Sequence, residues 1–266
     1  HVSWNQPERY SDNADMRQEI TRMAAAGRLN EAQMTYAGPW KPLEGLYDTE
    51  RDPYQLTNLV QRPEYREQLD RMRQASRRWS IETGDFGFLY ESLMVTASKG
   101  STPWEIRLDS DRYALEKIMD AADLVGRYGE IFQQIPLLKD PDPAVRFWAV
   151  IGCRTNRQRA TELKRLISEV VNDPVPVVRI QAAAAMVQKD HGPALDLLVK
   201  ELESDELNDA LMAARELQRV GERARSAIPA MRKALENAST REGQDPLYMF
   251  IRFSLERALE DLDRRQ

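Results

Sequence analysis

The sequence predicts a mainly α fold, and two observations carry this prediction. From Tyr113 onward, a pattern of an acidic turn, a Val-Arg pair and a run of small residues recurs along the chain. Between Pro63 and Glu82, apolar side chains recur at steps of three and four residues, which is the spacing of one helix face. The 266 residues are enough to bury a sizeable core. We therefore expect one large domain or two small ones, built mostly from helices.

Local signals predict a loop and a first helix at the start of the chain. Residues 1–12 lack any periodicity and predict a loop. A helix is predicted over residues 14–26, where Asp12 or Asn13 would cap its first turn and Gly27 would end it.

A second helix and a short strand follow. Asn30 is predicted to cap a helix over residues 31–37. Residues 43–47 predict a short strand, followed by a polar turn that ends at Pro53. A strand needs partners for its backbone groups. We therefore expect the partners of this strand to lie outside the sequence.

A longer helix is predicted to begin at Pro63, a residue that fits the first helical turn, and to end near Glu82. Its apolar stripe is interpreted as a packing surface; the stripe comprises Tyr65, Leu69, Met72, Ser76 and Trp79. Gly84 and Gly87 end the helix, and residues 91–112 are predicted to form a connector.

The repeated pattern occupies residues 113–266. The two clearest copies run over residues 139–146 and 172–179, and weaker copies begin at Ser204 and Asp245. In each clear copy, an Asp can cap the first helix and a Pro fits its first turn. We count roughly five units.

This pattern resembles the HEAT repeat, a helix pair with Asp-Pro, then Val-Arg, then small residues. Alanines such as Ala182–Ala185 would let neighbouring helices approach closely. One such repeat cannot bury its own apolar face, but a stack of them can fold as an α-solenoid. The resemblance therefore implies a HEAT-like α-solenoid over residues 113–266.

An ordered set of short motifs lies upstream of the repeats. The set comprises Leu46-Tyr47-Asp48, Asp52-Pro53, Asn58-Leu59, Pro63-Glu64-Tyr65, Trp79 and Glu82-Thr83-Gly84-Asp85. It resembles the C-terminal tail of the sulfatase family, especially the branch like N-sulfoglucosamine sulfohydrolase. The resemblance implies that residues 1–90 form a short, incomplete α/β subdomain with an antiparallel sheet and a closing helix.

The same resemblance implies that the parent protein is a bacterial sulfatase acting on sulfate esters or N-sulfates of carbohydrates, in the periplasm or outside the cell. Its catalytic domain, with formylglycine and calcium, would precede His1. Because the chain opens without an initiator Met, we interpret it as a C-terminal piece.

We predict no catalytic, cofactor-binding or metal-binding residue within the chain. The two histidines, His1 and His191, and the single cysteine, Cys153, form no cluster in the sequence. Cys153 lacks the Pro of the sulfatase motif Cys/Ser-x-Pro-x-Arg. Ser101 has the Pro at the right position, but Arg107 follows two positions too late. We therefore expect the chain alone to be inactive.

The abundant carboxylates have simpler explanations than metal binding. We interpret five of them as turn and cap residues, namely Asp48, Asp52, Asp140, Asp142 and Asp173. Arg146 and Arg179 recur in register, and pairing with a neighbouring turn Asp is favoured over a cationic binding face.

Charge and hydropathy exclude some partners and leave others open. The net charge is −5 and both signs are interspersed, so nucleic acid is not expected as a partner. No apolar run approaches a membrane span. One cysteine excludes an internal disulfide.

The expected partners are the chain's own catalytic domain, which Trp4 and Trp40 could contact, and a protein or second copy on the repeats. The alternative is a non-catalytic HEAT-repeat interaction module. The two hypotheses differ in what precedes His1.

Overall fold

The computed structural model describes residues 11–156, 160–188 and 192–264, and these residues contain helices and no strand. His1, Trp4 and His191, which the sequence analysis considered, lie outside the described residues. The chain divides into two compact units, residues 1–82 and 83–266.

Among its described residues, the first unit contains three α-helices: α1 Asp15–Ala25, α2 Glu31–Ala37 and α3 Arg66–Thr83, whose last residue belongs to the second unit. As predicted, Asn30 caps α2, and Gln33 completes the capping box. Gly27 follows α1 with a φ of 64°, which confirms the predicted stop.

The predicted side-chain cap of α1 is wrong. The N-cap position is Ala14, and no side chain caps the helix there. Asp12 accepts a hydrogen bond from Arg17 at 2.9 Å instead. The Asp12 carboxylate therefore pairs with a side chain of α1 and does not cap that helix.

The stripe on α3 packs at one position and is exposed at others. Leu69 is buried, whereas Met72 is 55% exposed and Trp79 is 62% exposed. Leu69 therefore packs as predicted, and a packing role for Met72 and Trp79 stays a prediction.

The second unit contains eleven α-helices among the described residues. They are α4 Glu91–Ala97, α5 Pro103–Ile106, α6 Leu115–Asp123, α7 Ile131–Gln134, α8 Pro143–Thr155, α9 Ala160–Ser168, α10 Pro176–Gln188, α11 Pro193–Glu201, α12 Leu207–Val220, α13 Ile228–Arg241 and α14 Pro246–Asp263. The segment predicted as a connector, residues 91–112, contains α4 and α5.

Two of the predicted acidic turns cap the helix that follows them. Asp142 accepts a hydrogen bond from the Ala144 amide at 2.8 Å at the start of α8, and Asp245 accepts one from Leu247 at 2.8 Å at the start of α14. Pro143 and Pro246 occupy the first helical turn in both cases.

The core of the second unit runs through the first helices of successive pairs. α10 packs against α8 on one side and α12 on the other, and α12 packs against α14. The run Ala182–Ala185 is fully buried, as its predicted role in close helix approach requires. The second helices, α9, α11 and α13, pack against these.

Trp148 is partly buried on α8, and its indole N–H donates to the Phe88 carbonyl at 2.8 Å. This hydrogen bond ties the segment before α4 to α8.

Candidate functional site

The residues of the sulfatase-like motif meet around the side chain of Asn58. Its Oδ1 accepts hydrogen bonds from the amides of Leu46 at 3.0 Å and Val60 at 3.1 Å. Its amide group donates to the Glu44 carbonyl at 2.9 Å. The Leu59 amide donates to the Leu46 carbonyl at 2.8 Å. The first three motif segments and the turn between them therefore form one hydrogen-bonded loop.

This loop explains why the predicted strand over residues 43–47 is wrong. A strand would satisfy its backbone groups with a neighbouring strand. Here the Asn58 side chain satisfies two of them and one backbone bond satisfies a third. The segment is extended but has no ladder among the described residues.

Two aspartates of the motif, Asp48 and Asp52, accept hydrogen bonds within turns, as predicted. Asp48 accepts hydrogen bonds from the amides of Glu50 and Arg51, each at 3.2 Å. Asp52 accepts one from the Thr57 amide at 2.7 Å. Both carboxylates therefore serve the fold of the loop.

An ion pair fixes the loop to α3. Arg73 on α3 donates through Nε to Glu44 at 2.7 Å and through Nη1 to Asp70 at 2.9 Å. The hydrogen bond with Glu44 raises the pKa of Arg73 above its usual value. The side chains are partly exposed, so the pair orients α3 more than it stabilises the unit.

In the second unit, Arg146 on α8 links the turn before α8 to the turn before α10. Its Nε and Nη2 atoms donate to the two carboxylate oxygens of Asp173 at 2.7 and 2.9 Å. Its Nη1 atom donates to the carbonyls of Asp140 and Pro141 at 2.8 and 3.0 Å. This bidentate geometry confirms the predicted pairing with a neighbouring turn Asp.

Arg179 repeats the arrangement with a different acid. Its Nη1 atom donates to the carbonyls of Asp173 and Pro174 at 3.0 and 2.9 Å, and its Nε atom donates to Glu201 at 2.7 Å. Both arginines therefore hold turns together and do not form an open cationic face.

A buried carboxylate, Glu216 on α12, sits at the centre of a polar network that sequence reasoning missed. It pairs with Arg154 of α8 at 2.7 Å and with Arg219 at 2.8 Å, and it accepts a hydrogen bond from Gln181 of α10 at 3.1 Å. Burial alone would raise the pKa of Glu216, but the two guanidinium groups outweigh burial and hold that pKa below its usual value.

A second buried carboxylate, Asp209, is in the opposite situation. It is 4% exposed, and its Oδ1 atom has no well-formed hydrogen bond among the described residues. Burial raises the pKa of Asp209, and the nearby carboxylates of Glu206 and Glu201 add to the effect. Ser92 and Arg179 act in the other direction without reversing it.

Neither candidate nucleophile has an environment that would activate it. Cys153 is fully buried in α8. Ser101 donates to Glu105 at 2.7 Å beside the capping box that Thr102 forms at the start of α5. Arg107 lies over the ring of Trp104 at 3.6 Å. Ser101 is therefore part of a helix cap.

The described residues hold no grouping of three or more His, Cys, Asp or Glu side chains suited to a metal ion. Within the same residues, no helix combines the length and apolar character that crossing a bilayer requires.

Comparison with known proteins places part of the chain near the sulfatases. A stretch of 86 residues, 32% of this chain, is 38% identical to an "Ulvan-active sulfatase" of Formosa agariphila. The match covers 14% of that protein, so the chain spans only a small share of its relative's length. No family model matches the chain, and no solved structure matches it.

Proposed function

We propose that this chain is the C-terminal part of a sulfatase whose catalytic residues lie upstream of His1. The observation that carries the proposal is the stretch of similarity to a sulfatase. The ordered motif around Asn58 supports it, because three motif segments converge on one loop. Residues 1–90 would then be the closing subdomain of the enzyme.

The parent enzyme would hydrolyse sulfate esters or N-sulfates on carbohydrates, and the name of the relative, an ulvan-active sulfatase, supports a carbohydrate substrate. Formylglycine and calcium would belong to the upstream domain, as the resemblance to sulfatases implies. A periplasmic or extracellular location follows from the same resemblance.

In this proposal, residues 113–266 form a HEAT-like α-solenoid that acts as an accessory scaffold. The order of packing, α8 with α10, α10 with α12 and α12 with α14, supports stacked helix pairs. The arginine bridge between neighbouring turns at Arg146 supports the same arrangement.

A second candidate function is a non-catalytic interaction module. It is favoured by the fact that the sulfatase similarity covers only 32% of the chain. In that case the loop around Asn58 would be a relic, and the repeats would carry the function by binding a partner.

Sulfate release distinguishes the two candidates. We expect the 266-residue chain to release no sulfate from an aryl sulfate or sulfated oligosaccharides, and the product of the full reading frame to release it. The Ser101→Ala variant of the longer protein should retain full activity, because Ser101 only donates a hydrogen bond to Glu105 beside the helix cap that Thr102 forms. An inactive longer protein, or calcium-dependent activity in the chain alone that Ser101→Ala abolishes, would overturn the proposal.

A further inference from the structure

A groove in the last repeats has features that the fold does not explain. It has a volume of about 390 Å³ and lies between the end of α11, the turn before α12, and the helices α13 and α14. Leu202, Ala234 and Ile251 contribute apolar surface, and Lys233, Arg241 and Tyr248 are among its polar lining residues. A concave site with apolar surface and a few convergent polar groups is the usual form of a ligand site.

The two cationic residues of the groove, Lys233 and Arg241, differ in their ion-pair and hydrogen-bond partners. Lys233 is paired with Glu203 at 2.8 Å. Arg241 has no carboxylate within ion-pair distance among the described residues. It donates instead to the hydroxyl of Tyr248 at 3.1 Å, and its guanidinium lies 5.9 Å from the centre of that ring. Arg241 is therefore held in place by a neutral partner and keeps donors for an anion.

The rest of the lining is suited to hydroxyl groups. Asn237 adds an amide next to Arg241 along α13, and Ser204 and Asp205 add a hydroxyl and a carboxylate at the turn before α12. These side chains offer both donors and acceptors. The apolar surface of Ala234 and Ile251 lies in the same groove and suits the C–H face of a sugar ring.

The walls argue against an extended peptide as the ligand. They come mainly from α-helices, whose backbone groups are bonded within each helix. An extended peptide would find no edge with which to pair its own backbone. A ligand with hydroxyl groups and one anionic group could bind the polar side chains and the Arg241 guanidinium of the groove.

We propose that this groove binds a sulfated sugar residue of a carbohydrate chain, with the sulfate against Arg241 and the ring over the apolar surface. The ligand class rests on the proposed function, since a sulfatase of carbohydrates meets such chains. The groove would hold the polymer while the catalytic domain acts on it.

Calorimetric titration of the 266-residue chain tests this site. The probes are ulvan and chondroitin sulfate tetrasaccharides, their chemically desulfated counterparts, and a hexaglutamate peptide. We expect at least one sulfated tetrasaccharide to bind, with at least tenfold weaker binding of its desulfated counterpart. Arg241→Ala should weaken binding about tenfold, because it removes a charge-assisted hydrogen bond. Ala234→Phe should block binding without changing the charge.

Arg264→Ala is the matched control, because Arg264 is an exposed arginine directly after α14 that pairs with Glu260 and does not line the groove. All three variants should keep the thermal midpoint of the parent chain. The proposal is overturned by no binding of either sulfated tetrasaccharide, by binding that Arg241→Ala leaves unchanged, or by equal binding of the hexaglutamate peptide. These measurements use the chain alone, so their result is independent of what precedes His1.

Discussion

At the scale of single residues, two of the buried carboxylates in the second unit, Glu216 and Asp209, have opposite effects on stability. Glu216 is paired with two arginines, whereas Asp209 has one oxygen without a well-formed hydrogen bond among the described residues. A buried charge stabilises a fold only when partners compensate its loss of hydration. The two residues should therefore respond to pH and to neutralisation in opposite directions.

Asp209→Asn should stabilise the protein by about 1 kcal/mol at pH 7, because it removes a poorly compensated buried charge. The pKa of Asp209 is raised in the folded state above its ordinary value of 3.8, so the penalty of ionisation is present at pH 7 and fades as the pH falls toward that value. Urea unfolding between pH 4 and pH 8 measures the difference. The exposed Asp196→Asn serves as the control, and a destabilised Asp209→Asn at pH 7 would contradict the expectation.

Glu216→Gln should destabilise the protein by about 3 kcal/mol at pH 7, because it leaves Arg154 buried without its counter-ion. The pKa of Glu216 is lowered in the folded state, so this stabilisation is present above its ordinary value of 4.5 and is lost as the pH falls through the folded-state pKa. The urea series is extended for this variant down to about pH 2, because the stabilisation is lost below pH 4.5. Glu222→Gln, which breaks an exposed pair with Arg225, should have little effect at any pH.

Residue roles were predictable where the interaction is local in sequence. Asp142 caps the helix that follows it, and Asp48 accepts hydrogen bonds from amides two and three residues further along the chain. Residue type and position in the sequence were therefore enough to predict both roles. Glu216 and Arg154 lie on α12 and α8, and no local pattern links them. Such a pair becomes visible only when the stacking order of the helices is known.

At the scale of elements, close packing between α7 and α8 depends on a glycine. A Cβ atom added at Gly152 would lie 1.7 Å from the side-chain nitrogen of Gln134, which is itself buried. Gln134 also donates to the Trp148 carbonyl at 3.5 Å. The missing side chain at Gly152 therefore makes room for the glutamine.

Gly152→Ala should cost about 2 kcal/mol of stability, because the buried glutamine has to move into an already packed region. The double variant Gly152→Ala, Gln134→Ala should recover part of the loss, since the new methyl group then meets less crowding. Gly243→Ala is the matched control, because nothing lies within 4 Å of a Cβ built there. Thermal melts compare the four proteins, and a Gly152→Ala variant as stable as the parent would refute this packing argument.

The elements also show where sequence patterns stop being informative. Helices with a strong period and a local cap, such as α2 and α14, were predicted near their observed positions. The segment 43–47 has the composition of a strand, but the side chain of Asn58, twelve residues beyond Leu46, takes the place of a neighbouring strand. A contact between residues that far apart in sequence overrides the local preference for a strand, and the composition of the segment alone does not predict it.

At the scale of the whole molecule, the second unit extends further toward the N-terminus than the repeat pattern. The Tyr113 hydroxyl donates to the Asp85 carbonyl, and the rings of Phe86 and Tyr113 stack with centroids 4.5 Å apart. The Tyr90 hydroxyl donates to the Asn208 carbonyl at 3.0 Å. Residues 83–112 therefore belong to the packing of the repeats.

A fragment of residues 83–266 should melt cooperatively and at a higher temperature than a fragment of residues 113–266, because the shorter one loses these contacts. A fragment of residues 1–82 should show no cooperative transition, because few of its described side chains are buried. Circular dichroism during heating measures all three. A cooperative melt of 1–82 alone would contradict the expectation for the first unit. Equal midpoints for the two longer fragments would contradict the assignment of residues 83–112 to the second unit.

The central claim is that this chain closes a sulfatase, and the coding sequence upstream of His1 tests it most directly. The loop around Asn58 and the similarity to a sulfatase predict a reading frame that continues far upstream. That extension should hold Cys or Ser-x-Pro-x-Arg after a strand, with an Asp-Asp pair near its start. A start codon immediately before His1, with no such domain upstream, would contradict the claim and leave the repeat-based interaction module.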